Sequence, residues 1–508
     1  MTANGRFYIT TAIPYVNAAP HLGHALELVQ ADVLARHRRQ RGHPVRFLTG
    51  TDDNALKNVA AARAAGVDVR TFVDSNAARF AALRDPLALS FDDFIRTSAD
   101  PRHPAGVTQL WQECAAAGDF YHRRYAGLYC AGCEQFYPET ELTGGGLCPE
   151  HLVPPDHVAE DNWFFRLSRY ADRLLVLLQT GQVRVEPAAR RNEVLAFVRA
   201  GLADFSVSRP AARAGGWGIP VPGDPGQVVY VWWDALTNYV TALGYGSGRP
   251  EYEQWWVDSA ERVHVIGKGI VRFHAVYWLA LLLSAGLPLP TVVFVHDYLT
   301  VAGAKLSKTA GNAVDPTSLV DRYGVDAVRW WLLREVARVG DTDFTVERLV
   351  HRADGDLANG LGNLVNRTLT LVHKYRGGHL SEAAHSGETA RLADAAATLA
   401  GRIDRALDAF DFRAATDALW SVVDEGNRLV EAARPWELAR AGDTLRLDTV
   451  LTALVQACRT LTAELQPFLP TGAQRLRDQL LTGFQVGRPQ PAFPRVAAEP
   501  APFRPDRW

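Results

Sequence analysis

Beyond Met1 this chain of 508 residues contains no methionine, where about ten would be ordinary at this length. Its interior therefore holds no thioether to pack or to oxidise, and leucine, nearly volume-matched, replaces it at small cost. Lysine is almost absent too. Of 54 basic residues only Lys57, Lys268, Lys305, Lys308 and Lys374 are lysine, and two of these sit three residues apart. A compact, mobile ammonium behaves differently from a rigid guanidinium fork, so the survivors are informative. Net charge is −2, which argues against a protein that coats nucleic acid but leaves room for a local basic face. The longest apolar run, Ala275 to Leu283, is too short to span a bilayer. No basic stretch with an apolar core opens the chain, so no secretory leader, no membrane partner and a cytoplasmic enzyme are expected. Cysteine is sparse. The five cysteines are odd in number and three of them cluster, which excludes a disulfide framework and points to metal binding in a reducing compartment. Cys114 and Cys458, outside the cluster, are expected to be buried thiols.

Apolar content of 47% with 22% charge is that of a globular protein, and the length predicts about three to four domains. There is no internal repeat or low-complexity region. Up to about residue 115, short apolar strands alternate with helical segments, the pattern of a doubly wound parallel sheet. The stretch TAIPYVNAAPHLGH, Thr11 to His24, links a buried strand (Phe7-Tyr8-Ile9) to a helix. Two imidazoles, His21 and His24, flank Gly23 at the opening turn. A helix N-terminus offers unpaired N–H groups and a positive dipole end, which suit phosphate, and Gly23 lets a flat ring such as adenine approach the backbone. Taken alone, H-x-x-H is ordinarily a capped turn with two surface histidines. After the strand Val45 to Leu48 comes TGTDDNA, in which Asp52 is placed either to meet a cation at a strand end or to cap a helix.

Between about 116 and 205 lies a Gly- and Cys-bearing insertion. Cys130, Cys133, Cys148 and His151 give C-x2-C-x14-C-x2-H. Each knuckle places two ligands on one tight turn, and two knuckles close a tetrahedral site with no open position, so the expected zinc is structural. The parallel sheet is expected to resume near 206 and to end near 297. Ile270, His274 and Trp278 share one face of an apolar helix, which by itself reads as core with one satisfied histidine. From about 351 to 475 the pattern is helical, with an amphipathic stripe through Leu357, Leu361, Leu364, Val365 and Leu369 and further helices near 391–408, 411–433 and 444–465. Residues 476–508 read as a tail.

Far downstream of the H-x-x-H stretch stands GAKLSKTAGN, Gly303 to Asn312. Together the two resemble the HIGH and KMSKS signatures of class I aminoacyl-tRNA synthetases, and their wording, IPYVNAAPHLGH and KLSKTAGNAVDP, resembles the methionyl branch. The resemblance runs from about 6 to 475. It implies a Rossmann-type catalytic domain in two parts, 1–115 and 206–297, split by the connective insertion at 116–205. It further implies a KLSKT loop and stem-contact region at 298–350 and an all-α helical-bundle anticodon-binding domain at 351–475. The implied reaction is ATP-dependent activation of L-methionine to its adenylate and transfer to tRNA-Met, with magnesium accompanying ATP and a monomer expected.

By the same resemblance His21, His24, Lys305, Lys308 and Arg209 serve catalysis, and Gly23 and Lys268 join the histidines and lysines around ATP. Asp52 holds the substrate ammonium. Ile13, Tyr15, Trp232, Ala235, Tyr239, Ile270, His274 and Trp278 line the methionine pocket, where aromatic walls suit a polarisable thioether. Asn359, Asn363, Arg367 and Trp436 meet the anticodon, since splayed bases stacked on aromatics and read by amides are the usual single-stranded RNA mode. The chain departs from the family at Asn54 and Ala55 (commonly His-Gly), at Gly269 (commonly Asp) and at Thr309. These departures favour an alternative, a ligase that adenylates an amino acid for a small-molecule acceptor. A non-catalytic RNA-binding paralogue is a second alternative, opposed by the four retained phosphate-facing residues.

Overall fold

A computed structural model describes residues 5–150, 152–306, 313–382 and 387–496. The chain divides into two compact units: Met1–Pro20, Arg38–Arg84 and Ser90–His296 make the first, and His21–His37, Asp85–Leu89 and Asp297–Trp508 the second.

The first unit is built on a six-stranded, all-parallel sheet. Phe7–Thr11 (β1), buried along its whole length, pairs with Val45–Thr51 (β2) on one side and Glu261–Gly267 on the other. Asp93–Arg96 extends the sheet past β2, while Val292–His296 and then Arg184–Glu186 extend it past Glu261–Gly267. Near-continuous apolar strands such as VVFVH are what a sheet covered on both faces requires. Strand order reverses at β1, and ligands in open α/β sheets bind at such a switch point, beyond the carboxyl ends of the strands. There β1 runs out at Thr11 and β2 at Thr51.

One expectation is corrected. The strands between 205 and 229 do not rejoin the parallel sheet, which resumes only at Glu261–Gly267. Phe205–Ser206 joins an antiparallel sheet with Gln135–Tyr137, Phe120–Cys130 and Asp156–Phe165, and Ser208–Pro210 pairs with Asp224–Val229 in a separate three-stranded sheet. Alternating apolar and polar residues, as in Phe205 to Arg209, fit half-buried antiparallel strands, and that alternation should have placed them outside a doubly covered sheet. Conversely, Arg184–Glu186, inside the expected insertion, is an edge strand of the main sheet. Three residues are too few to show a period.

In the second unit the helices Asn363–Arg376, Ala390–Asp408, Phe412–Ala433, Thr444–Leu465 and Pro470–Leu480 bury their apolar stripes. The expected stripe runs from Leu357 and Leu361 in the π-type segment Ala353–Gly362 into Leu364, Val365 and Leu369 of the first of these helices. The helix Leu22–Gln40 (α1) contributes its first four turns to this unit. Its Asp32 meets Arg329 at 2.8 Å with both side chains fully buried. Arg329 also donates to the carbonyls of Leu87, Pro467 and Phe468, so every nitrogen of the buried guanidinium has a partner. Cys114 and Cys458 are buried, as expected.

Candidate active site

At the carboxyl end of β1 the chain turns through Ile13 and Tyr15, and Tyr15 forms an isolated parallel bridge with Asp52. The Asp52 amide donates to the Pro14 carbonyl at 2.9 Å. Asp52 is buried, and its Oδ1 and the Tyr15 hydroxyl have no hydrogen-bond partner among the described residues. Burial pushes the Asp52 carboxyl well above the usual carboxylate range, and the nearby Asp234, Asp53 and Glu134 push it further. It does not cap the following helix, Leu56–Ala64 (α2), whose N-cap is Ala55. An enclosed carboxylate oxygen without a partner is costly unless a cation arrives.

Around this carboxylate stands an aromatic enclosure. The Trp232 ring stacks on Phe273 at 3.7 Å and meets Tyr15 edge-on at 6.0 Å. Ile13, Trp232 and Ile270 pack against the core that contains Tyr239 and Trp278, and Ala235 is buried. The segment after Glu261–Gly267 opens as a short 3-10 turn, Lys268–Ile270, then widens into a π-type turn, Phe273–Tyr277, before the helix Trp278–Ser284. Such wide turns recur at functional sites. Here the turn directs His274 toward Tyr239.

The hydrogen bonds assign the tautomers. His274 Nδ1 lies 3.0 Å from the Ile270 carbonyl, which can only accept, so Nδ1 carries the proton and Nε2 accepts from the Tyr239 hydroxyl at 2.7 Å. Trp278 Nε1, a donor only, reaches His264 Nε2 at 3.1 Å, so His264 Nδ1–H points to Thr10 Oγ1 at 2.7 Å. Burial holds both imidazoles neutral, pulling His274 down to about 4 and His264 well below its usual value. The pocket is thus aromatic, with two neutral imidazoles and one enclosed carboxyl that a cation would ionise. It suits a small apolar molecule with an ammonium group.

His264 escaped sequence reasoning because a histidine inside a parallel strand carries no motif. Asn54 did not escape, but its role did. Its amide donates to Asp234 Oδ2 at 2.7 Å while His103 binds the other oxygen, and His103 Nδ1 lies 2.7 Å from Thr241 Oγ1. Ala55 packs against Tyr230 and Val231. The expected pocket edge therefore carries an Asn–Asp–His chain that runs from half-buried Asn54 to buried Asp234 and His103.

In the second unit, the His21 and His24 rings stack at 3.9 Å. His21 Nδ1 accepts from the Gly23 amide and His24 Nδ1 from the His21 amide, each at 3.1 Å. Both Nδ1 atoms act as acceptors, so both rings carry their proton on Nε2, as donors suited to an anion. A Cβ on Gly23 would lie 3.0 Å from the His21 ring, so any side chain there would have to shift that ring. The Leu22 amide is held by the Val314 carbonyl at 2.8 Å. The hairpin Leu299–Val301 to Ala304–Lys305 turns at Ala302-Gly303, both with positive φ, a two-residue turn of the I′ kind. Asp343 Oδ1 accepts from the Gly303 amide at 2.9 Å. Lys308, the side chain of Lys305, and His151 lie outside the described residues. Lys268 is half-buried at the strand end.

Asn359 and Asn363 are exposed and Arg367 is half-buried, with its guanidinium 5.5 Å from the Trp436 ring centroid. Asn359 Oδ1 accepts from Arg495 at 2.9 Å. In the first unit, the sulfurs of Cys130, Cys133 and Cys148 lie within 4.8 Å of one another. Three thiolates on one metal at about 2.3 Å would stand about 3.8 Å apart, so the cluster fits a tetrahedral ion with one ligand still to be supplied. Arg209, buried, pairs with Glu134 Oε2 at 2.9 Å. Among the described residues no helix is long and apolar enough to cross a membrane.

A family model described as tRNA synthetases class I (M) matches residues 7–369. The methionine–tRNA ligase of Brucella suis biovar 1 is 41% identical over 96% of this chain and 98% of its own length. That of Mycobacterium bovis is 41% identical over 93% of this chain and 92% of its own. The solved Mycobacterium tuberculosis methionyl-tRNA synthetase in complex with methionyl-adenylate matches with a TM-score of 0.92 at 38% identity, covering 97% of this chain and 100% of that one.

Proposed function

Because the chain belongs to the class I tRNA synthetases, in their methionine branch, we propose that it activates L-methionine with ATP and passes the methionyl group to tRNA-Met. The observation that carries this reading is the unpartnered Asp52 oxygen beside a neutral aromatic pocket. Asp52 takes the ammonium, and the Tyr239–His274 pair offers the substrate sulfur a weak polar contact while aromatic walls hold its apolar body. Ile13, Tyr15, Trp232, Ala235, Ile270 and Trp278 complete the pocket.

No covalent intermediate with the enzyme is needed. The methionine carboxylate attacks the α-phosphorus of ATP, pyrophosphate leaves, and a terminal adenosine hydroxyl of the tRNA then displaces AMP. Catalysis is positioning together with charge stabilisation at phosphorus and on the leaving pyrophosphate. His21 and His24 donate to phosphate oxygens through Nε2–H, Gly23 lets adenine close on the backbone, and Lys268, Lys305 and Lys308 neutralise the phosphates. Arg209 adds fixed positive charge near the substrates from its pairing with Glu134. Magnesium, bound with ATP, supplies further charge neutralisation. Cys130, Cys133, Cys148 and His151 hold one structural zinc.

Asn359, Asn363, Arg367 and Trp436 read the anticodon, and the cation–π pairing of Arg367 with Trp436 supports tRNA as the acceptor. The five-part domain division, 1–115, 116–205, 206–297, 298–350 and 351–475 with a tail at 476–508, follows from the same reading. ATP–pyrophosphate exchange measured with each amino acid tests it: exchange with methionine alone is expected, and exchange with a different amino acid would overturn the assignment.

A further inference from the structure

Helix α2 directly follows the segment that carries Asp52, yet it has no local cap. Ala55 at its N-cap has no side-chain acceptor, and no acidic residue stands in its first turn. A helix start with unmet N–H groups ordinarily takes a capping oxygen from its own N-cap residue. Here the oxygen comes from 77 residues away. Glu134 Oε1 accepts from the Lys57 amide at 2.8 Å. Its other oxygen accepts from Arg209 Nη1 at 2.9 Å and from the Tyr129 hydroxyl at 2.8 Å.

Glu134 is fully enclosed and adopts a left-handed backbone, φ 56°, immediately after Cys133. A glutamate gains nothing locally from that conformation, so its surroundings must hold it there. Three successive carbonyls of this turn are occupied from the pocket side. The Gly132 oxygen takes Lys57 Nζ at 3.2 Å, the Cys133 oxygen takes Trp232 Nε1 at 3.3 Å, and the Glu134 oxygen takes the Tyr230 hydroxyl. The route onward to Asp52 is short. In the first turn of α2, Asn58 Nδ2 donates to the carbonyls of both Asp52 and Asp53 at 2.9 Å.

We propose that Glu134 is a positioning residue for the amino-acid pocket: from the cysteine turn it caps α2 and so keeps the Asp52 segment and the Trp232 wall in place. The proposal rests on the assignment of Asp52 to the methionine ammonium. Asp52 needs such support because it stands, buried, beside Asp234 and Asp53, which tend to displace it. The Glu134 charge adds to that repulsion, so it is the hydrogen bonds of Glu134, not its charge, that hold the segment. A residue that only stabilised the cysteine turn would have no reason to send one oxygen to the start of α2.

Glu134→Gln separates these roles. The bond to a guanidinium is the stronger one, so the amide oxygen turns to Arg209 and the amide NH2 faces the Lys57 N–H, replacing the cap with a donor–donor contact. In the full chain loaded with zinc, methionine binding by equilibrium dialysis is expected to weaken by about fivefold or more, what one lost cap is worth. The KM for ATP and the zinc content should stay within about twofold of the parent, well under that loss. Adding Ala55→Ser supplies a local cap and should restore most of the methionine affinity. Unchanged affinity in Glu134→Gln, equal loss for ATP and methionine, or no recovery with Ala55→Ser would each overturn the proposal. Should Glu134→Gln alone not fold, the double variant decides: recovered folding with methionine binding supports the cap, and its failure refutes it. Asp52→Asn serves as the control. If that change leaves methionine affinity intact, the pocket assignment itself fails; if it abolishes binding while Glu134→Gln does nothing, only the present proposal falls.

Discussion

Asp52 is enclosed, one of its oxygens lacks a partner among the described residues, and burial with three neighbouring carboxylates raises its pKa. It therefore stays protonated at pH values where an exposed aspartate is ionised. In the ligand-free protein the ionised form is the costly one, so stability is lost as pH rises through the raised pKa. An ammonium group reverses this by pairing only with the carboxylate. Methionine affinity should accordingly rise with pH across that range, and binding below it should release a proton. Calorimetry in buffers of different ionisation enthalpy counts the protons. Asp52→Asn should bind methionine about tenfold or more weakly, as loss of a buried charged partner implies, and should lose the pH slope. A slope that survives the substitution would place the titrating group elsewhere. His274 does not supply it, because burial holds that imidazole down to about 4.

At the scale of elements, the H-x-x-H turn and the three-cysteine cluster were legible because each is local: a few residues at fixed spacing define the chemistry. The helices from 390 to 465 were legible because 3.6-residue periodicity persists over several turns. What stayed hidden is non-local or too short. Glu134 carries no motif that announces a helix cap 77 residues away, a π-type turn at Phe273–Tyr277 leaves the apolar pattern unbroken, and the edge strand Arg184–Glu186 has three residues.

Two predictions belong to this scale. Chelating zinc should loosen the antiparallel insertion, because the cysteine turn is anchored by its ligands and by Glu134. Faster proteolysis between 120 and 165 with slower adenylate formation is expected, and full protection together with absence of zinc on metal analysis would contradict the metal assignment. Lys308→Ala should remove most adenylate formation while leaving methionine affinity within about twofold, since the role proposed for that lysine is on charge that grows as pyrophosphate leaves. A steep rise in methionine KM at unchanged kcat would contradict it.

The whole molecule comprises a parallel-sheet unit, which carries the proposed methionine pocket, and a second unit rich in helices, which carries the proposed phosphate-facing residues His21, His24, Lys305 and Lys308 and the anticodon residues. Trp436, half-buried beneath Arg367, is assigned to a stacked anticodon base. Pyrophosphate exchange needs no tRNA, so Trp436→Ala should leave it intact while raising the tRNA KM about tenfold or more, given about 1–3 kcal/mol per stacked base. Unchanged charging would favour a small-molecule acceptor. Absence of methionine beyond Met1 leaves no mark on the fold: Leu306, at the methionine position of the KMSKS signature, is simply buried.

The most direct test isolates the second half-reaction. Enzyme loaded with methionyl-adenylate is freed of ATP and unbound methionine, then mixed with tRNA-Met in a single turnover. The account predicts transfer of the methionyl group to the tRNA 3′ end with stoichiometric release of AMP. Adenylate that forms but remains untransferred to any tRNA would contradict it.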